Sequence, residues 1–416
     1  MKYNKYNRRK FLTTVSACTA AGLLMNAIPF SGANAQTNSF SSDEETKNDY
    51  LFSPGLIYLN TGTLGPCSRR TIGATKKIWE HLESFPLQFY AEKFAPELAE
   101  KTRIIAASFL GCEVDELMMT RSTTDGMNAV VQGLNLKSGD RIITTNQEHE
   151  GGLSGWKYLA KYHGVIIDTI NIPFEVSDTD KILESINAAI TSATKLVSIS
   201  HVFSSTGLRL PIAEISSLAR SKNILCIVDG AQAAGSIKVN VKELGCHAYM
   251  ASGHKWLMGP KGTGLLYISK DAQDKIHPMQ FEDSYNTYNQ STGVGNLPGI
   301  LGLGTAIEHL TRIGMDKVEQ HNISLRNRLY TQLLNTNNLT IVSSPPGALA
   351  SPLLSCRLPE KIESTKFSPM VLEKHKISFR AVHKQWFNGI RFSTHIFNTE
   401  KEVDKVIEII RKELKS

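Results

Sequence analysis

The 416-residue sequence predicts an α/β fold, with a mixed, mostly parallel seven-stranded sheet flanked by helices and a smaller C-terminal α+β unit. Three observations predict it. From about residue 100, short apolar runs alternate with helix-length segments. Those runs are near-continuous in Val, Ile and Leu, as strands covered on both faces must be. Finally, 41% hydrophobic and 20% charged residues supply enough apolar material for a large core, so disorder is not expected.

The chain begins with Asn7-Arg8-Arg9-Lys10-Phe11-Leu12, a twin-arginine pattern, followed by a modestly apolar stretch to Phe30 and the small residues Ala33-Asn34-Ala35. Residues 1–35 therefore read as an export signal cleaved before Gln36, with the Tat machinery as partner and a periplasmic mature protein. An uncleaved anchor is a weaker reading, because Thr13, Thr14, Ser16, Thr19, Gly22, Asn26 and Pro29 interrupt the stretch, and so is lipid attachment at Cys18, because only a few apolar residues precede it. The net charge of +7 resides mostly here. Lys2, Lys5, Arg8, Arg9 and Lys10 meet no acid, and the remaining 41 basic residues nearly balance 39 acidic ones. Composition thus gives no basis for nucleic-acid binding. Cys67, Cys112, Cys226, Cys246 and Cys356 remain after cleavage, an odd set without a C-x-x-C pair, which indicates neither a disulfide framework nor a zinc site.

Residues 36–50 are polar and aperiodic and read as a linker, and 51–100 as a segment packing with the small domain. The large domain spans 101–290. Its strand candidates are Glu116–Met119, Arg141–Thr144, Val165–Ile170, Lys195–Ser200, Ile224–Val228, Ala248–Ala251 and Gly264–Ile268, with helices such as Asp125–Leu134 and Ile212–Ser221 between them. Phe281–Pro298, rich in Tyr, Asn, Ser and Gly, reads as an inter-domain loop. A long helix from about Ile300 opens the 291–416 unit, which contains a turn at Ser343-Ser344-Pro345-Pro346-Gly347.

Two segments carry the chemistry. Val228-Asp229-Gly230-Ala231-Gln232 puts a carboxylate at the end of an apolar strand, where open α/β sheets bind ligands. Ser252-Gly253-His254-Lys255 follows the next strand and puts an amine in a tight loop. A lysine forming a Schiff base and a carboxylate opposite a pyridine nitrogen are what pyridoxal 5′-phosphate (PLP) requires. Other segments supply the remaining parts. Ser122-Thr123-Thr124-Asp125 joins strand to helix and offers hydroxyls and free N–H groups to a phosphate, although such residues cap helices without any ligand too. His149 follows a strand, where an imidazole could lie flat on the ring, although a solitary histidine is more often structural or exposed. Gln232 has an amide for the phenolic oxygen, and Arg391 a fork for a substrate carboxylate.

Together these residues resemble the class V aminotransferases, a fold type I PLP family. The resemblance runs from Tyr58-Leu59-Asn60-Thr61-Gly62-Thr63-Leu64-Gly65-Pro66 to about Asp404, and its most specific motif is Ser252-Gly253-His254-Lys255 with Gly259-Pro260-Lys261-Gly262. It implies Lys255 as the Schiff-base lysine, Asp229 on the pyridinium nitrogen, His149 on the ring and Gln232 on the phenolate. Thr123, Thr124, Ser252 and His254 would hold the phosphate, and Arg391 the substrate carboxylate, with Thr63 and Ser204 beside it. It further implies a homodimer in which Gln290–Asn296, through Thr292 and Gly293, reaches the partner's phosphate, although Val294 replaces the usual threonine.

Departures narrow the reading. Cysteine desulfurases of the family carry a cysteine on the loop after the position of Arg380; here Arg380-Ala381-Val382-His383-Lys384-Gln385-Trp386 has none, which speaks against persulfide transfer. Asn60–Gly65 and His201–Gly207 resemble the isopenicillin N epimerase branch. The expectation is a periplasmic enzyme acting at Cα of an amino acid or peptide-derived amine by transamination-type chemistry, such as tailoring of a siderophore. Epimerisation and C–S lysis are the alternatives, and a non-catalytic binding protein is the remote one.

Overall fold

The computed structural model describes residues 44–87, 94–174, 178–281 and 295–415, which belong to one compact unit. The twin-arginine leader, most of the linker, Thr292 and Gly293 lie outside the described residues.

Seven strands build the main sheet: β2 (Leu117–Thr120), β3 (Arg141–Thr145), β4 (Ile166–Ile170), β5 (Thr194–Ser200), β6 (Leu225–Asp229), β7 (Ala248–Ser252) and β8 (Gly264–Ile268). Their order is β2-β8-β7-β6-β5-β3-β4, and β8 alone runs antiparallel to its neighbours. This is the mixed, mostly parallel seven-stranded sheet expected. Side chains of period two explain the apolar runs. Val197, Ile199, Cys226, Val228, Tyr249 and Ala251 enter one core, while Leu196, Ile227, Ala248, Met250 and Leu266 enter another on the opposite face. Helices α3 (Thr123–Gly133), α4 (Glu150–His163), α5 (Thr179–Ala189) and α6 (Ile212–Ser221) connect the strands.

The boundaries moved where side chains bind backbone. The first strand starts at Leu117 because Glu116 ends a 3-10 turn, its buried carboxylate accepting from the Glu113 and Lys270 amides and pairing with Lys242 at 2.5 Å. Helix α3 starts at Thr123, two residues early, because Ser122 caps it through the Asp125 amide at 3.1 Å.

Among the described residues, a short helix at Glu44–Asn48 and two longer ones precede the sheet, α1 (Arg69–Ser84) and α2 (Phe94–Leu110), and both longer ones pack on the long helix α7 (Leu297–Ile313). Helix α7 starts three residues earlier than expected because Asn296 caps it and Pro298 occupies its first turn. Next come α8 (Met315–Leu333), α9 (Ser364–His375) and α10 (Glu400–Glu413). They enclose a third core over an antiparallel sheet ordered β12-β13-β10-β9, from β9 (Thr340–Ile341), β10 (Leu353–Arg357), β12 (Arg380–Ala381) and β13 (Gly389–Ser393). Strand β1 (Ile57–Tyr58) pairs in parallel with β11 (Ile377–Ser378), and Asn60 bridges to Ser393.

That bridge threads residues 60–65 between the two sheets. Gly65 donates its amide to His254 O at 2.8 Å, and a Cβ there would sit 1.8 Å from the Lys255 carbonyl oxygen. Neither partner is a side chain able to swing away. Gly65→Ala should therefore destabilise the fold by about 3 kcal/mol. A lower urea midpoint measures this, and a midpoint equal to that of the parent contradicts it.

Candidate active site

The carboxyl ends of β3, β5, β6 and β7, with the N-terminus of α3, surround a cavity of about 230 Å³. Ten residues singled out from the sequence line it: Thr63, Thr123, Thr124, His149, Ser204, Asp229, Gln232, Ser252, His254 and Lys255. They come from points as distant as 63 and 255 in the chain, so the fold brings them together.

At one end Ser252 Oγ accepts the Thr123 amide at 3.1 Å and lies 2.9 Å from Thr123 Oγ1. These hydroxyls stand at the first turn of α3, where unsatisfied N–H groups and the helix dipole favour an anion. His254 Nδ1 is buried here without a hydrogen-bond partner. An imidazole nitrogen left open beside a helix N-terminus fits a phosphate, towards which it can carry a proton.

At the other end lies Asp229. Its Oδ1 accepts the Ala231 amide at 2.9 Å, and a Cβ on Gly152 would approach Oδ2 to 3.1 Å, so glycine there leaves the carboxylate room. Burial raises the Asp229 pKa, while the Lys255 amine and the Ala231 amide oppose that rise. Lys255 feels the converse. Burial pulls its pKa down to about 8, Asp229 pulling up and Arg391 and Arg380 adding to the depression. An appreciable fraction of the amine is therefore neutral and nucleophilic near neutral pH.

His149 is pushed down to about 4, chiefly by burial and then by Lys255, Arg380 and Arg391, so its imidazole is neutral. Its Nδ1 caps α4 by accepting the Gly151 amide at 3.0 Å, which leaves the proton on Nε2. The Gln232 amide is oriented at both ends. Trp256 Nε1, which can only donate, gives to Oε1 at 2.8 Å, and Nε2 donates to Gly62 O at 2.8 Å, leaving one Nε2 hydrogen for the cavity. The Lys255 loop is anchored from behind by His395, whose Nε2 donates to Trp256 O at 2.9 Å.

Arg391 does not reach the cavity wall. It is 1% exposed behind Thr63, donating from Nη1 to Ser204 O at 2.7 Å and from Nη2 to Thr63 Oγ1 at 3.2 Å. The wall position belongs to Arg380, its register partner across β12 and β13, whose Nη1 also donates to Thr63 Oγ1 at 3.3 Å. Neither arginine has an acidic partner among the described residues. Burial lowers the pKa of each, so the pair is starved of negative charge. Arg380 was missed in the sequence except as a landmark. Its signal was an arginine following Ile377-Ser378-Phe379, eleven residues before another in an apolar strand. Ser200 and Trp256 were also missed, and nothing in their local sequence marks them.

The aminotransferase class-V family model matches residues 68–406. The chain belongs to that family. Its cofactor is PLP, which the phosphate-binding end, the Asp229 carboxylate and the Lys255 amine all fit. The isopenicillin N epimerase of Streptomyces clavuligerus is 26% identical over 88% of this chain and 97% of its own length. A probable cysteine desulfurase of Pyrococcus abyssi is 28% identical over 90% and 98%. A C-DES variant solved with glycine covalently linked to its PLP cofactor superposes with a TM-score of 0.79, at 22% identity over 86% of this chain and 97% of that one.

The state of the Lys255 amine sets how this class-V enzyme captures its cofactor. Below pH 8 each unit of acidity cuts the neutral fraction about tenfold; above 8 the fraction saturates. Reconstitution of apoprotein with PLP, followed by its visible band, should accelerate with pH and level off above about 8, and Lys255→Ala should give no lysine-linked band. A rate still rising steeply to pH 10 contradicts the depressed value.

Proposed function

We propose that this enzyme removes the Cα proton of an amino acid or peptide-derived amine and completes a transamination-type reaction. The observation that carries this reading is one cavity holding the Lys255 amine, the Asp229 carboxylate and the Arg380 guanidinium together. PLP bound there supplies the electron sink for the pair left when the Cα–H bond breaks. Lys255 takes that proton and gives it back, with an affinity suited to neutral pH. Asp229 would hold the proton of the ring nitrogen. The neutral His149 imidazole would shield the bound ring from water, and Arg380, backed by Arg391 and Thr63, would bind the substrate carboxylate.

Among the described residues lining the cavity, Lys255 alone has a proton affinity suited to carbon acid–base work, since His149 and His254 are both pushed down by burial. One carrier on one face supports proton return on that face, the transamination course. Epimerisation needs delivery from both faces and is favoured instead by the relative from S. clavuligerus. Persulfide relay lacks a nucleophile, because no cysteine lines the cavity among the described residues.

The proposal includes export. Arg8-Arg9 and Ala33-Asn34-Ala35 support a periplasmic enzyme acting on a secreted amine such as a siderophore precursor. It also includes a homodimer, supported by the exposed Ile72 and Trp79 on α1 and Ile104 on α2. Arg8→Lys with Arg9→Lys should leave the protein unprocessed in the cytoplasmic fraction; processing and export as in the parent would refute the location.

Two measurements test the chemistry. Incubation with candidate amines in deuterated water should bleach the visible band with equal release of an oxo acid. Deuterium at Cα of an amine that is retained would instead establish the epimerase. Arg380→Gln should raise KM roughly 100-fold, as expected for a lost charge-assisted bond of about 3 kcal/mol, with a smaller effect on kcat. An unchanged KM would remove Arg380 from carboxylate binding.

A further inference from the structure

A second buried carboxyl stands one serine away from Asp229, and none of the steps above uses it. Glu148 ends the loop after β3, directly before His149, and is 6% exposed. Its Oε1 accepts from Thr145 Oγ1 at 2.8 Å, and its Oε2 from Ser200 Oγ at 2.5 Å. Ser200 closes β5, is the register partner of Asp229 on β6, and lines the active-site cavity beside it. On its far side Glu148 lines a second cavity, of about 330 Å³. The charged groups facing it are Asp229 from β6 and, from α4 across that second cavity, Glu150 and Lys157, which pair with each other at 2.7 Å. No basic side chain forms an ion pair with Glu148 among the described residues.

Two carboxyls in one buried layer do not ionise independently. Asp229 has the Lys255 amine and an amide N–H to hold its charge, whereas Glu148 has hydroxyls and a backbone amide. Glu148 is therefore the member that accepts a proton first. Burial, opposed by the Ser200 and Thr145 hydroxyls and reinforced by Asp229, pushes it up to about 7. Its state reaches the site through Ser200. An ionised Glu148 only accepts, so the Ser200 hydrogen must point at it. A protonated Glu148 donates its own O–H to Ser200 Oγ, and the serine hydrogen is freed to turn into the cavity, towards Asp229.

We propose that Glu148 is a positioning residue for the cofactor's ring nitrogen, setting through the Ser200 hydroxyl how much negative charge Asp229 presents there. Below neutrality Glu148 is neutral and Ser200 turns to Asp229. Above it, Glu148 is an anion that holds the serine and adds its own field to that of Asp229. The inference concerns the cofactor site alone. It is tested without substrate, so its failure is separate from failure of the proposed reaction.

The experiment is a visible-absorption titration of the holoenzyme from pH 5 to 9. The wild-type band should shift reversibly with a midpoint near 7. Glu148→Gln keeps a donor and an acceptor for the same two hydroxyls but cannot ionise. It should bind stoichiometric cofactor, melt like the parent and lose that transition. Ser200→Ala removes the hydroxyl that carries the state of Glu148 to Asp229 and that stabilises the Glu148 carboxylate, so it should shrink the transition and move what remains up by about one pH unit; it decides the matter alone if Glu148→Gln fails to fold. Titrations of Glu148→Gln, or of Ser200→Ala in its place, that superimpose on wild type would overturn the proposal.

Discussion

The Asp229 carboxylate and the Lys255 amine line one cavity, and each favours the charged form of the other. Burial alone pushes the acid towards its protonated form and the base towards its neutral one. Together they settle at an intermediate balance, with the acid raised but opposed by the amine and the amine lowered to about 8. That balance is the condition for both roles the site requires, a carboxylate opposite a ring nitrogen and an amine that is nucleophilic near neutrality.

The rest of the architecture keeps those groups in place. The parallel sheet ends β6 and β7 side by side, so Asp229 and the Lys255 loop emerge at one edge. The loop is held from below by Gly65 and His395 and from the side by the Trp256–Gln232–Gly62 chain of hydrogen bonds. The two arginines arrive from a different sheet, meeting the cavity through Thr63. Charge is graded along the site. Hydroxyls stand at the α3 end, carboxylates at the far ends of β6 and of the β3 loop, and guanidiniums without acidic partners beside Thr63.

The fold was legible because the strands are apolar on both faces, and their period-two division between two cores leaves continuous Val, Ile and Leu runs in the sequence. Lys255, Asp229 and the α3 cap were legible because strand-end carboxylates and Ser/Gly/His loops mark ligand sites by local chemistry alone. Arg380 escaped because strand pairing across β12 and β13, invisible in the sequence, is what sets it beside Arg391 on one face of the sheet, where both reach Thr63. Glu148 escaped for a similar reason. A glutamate beside a histidine after a strand looks like a solvated loop residue, and only the register of β5 against β6 encloses it with Ser200 and Asp229.

The interdependence of acid and amine is most directly measured on the amine itself. Carbon chemical shifts of the Lys255 side chain, followed against pH in isotope-labelled apoprotein, report its protonation without cofactor or substrate. The wild type should titrate near 8 and Asp229→Asn clearly lower, because removing the carboxylate leaves burial and the two arginines unopposed. A titration in Asp229→Asn identical to the parent, or a wild-type value at that of free lysine, would contradict the account.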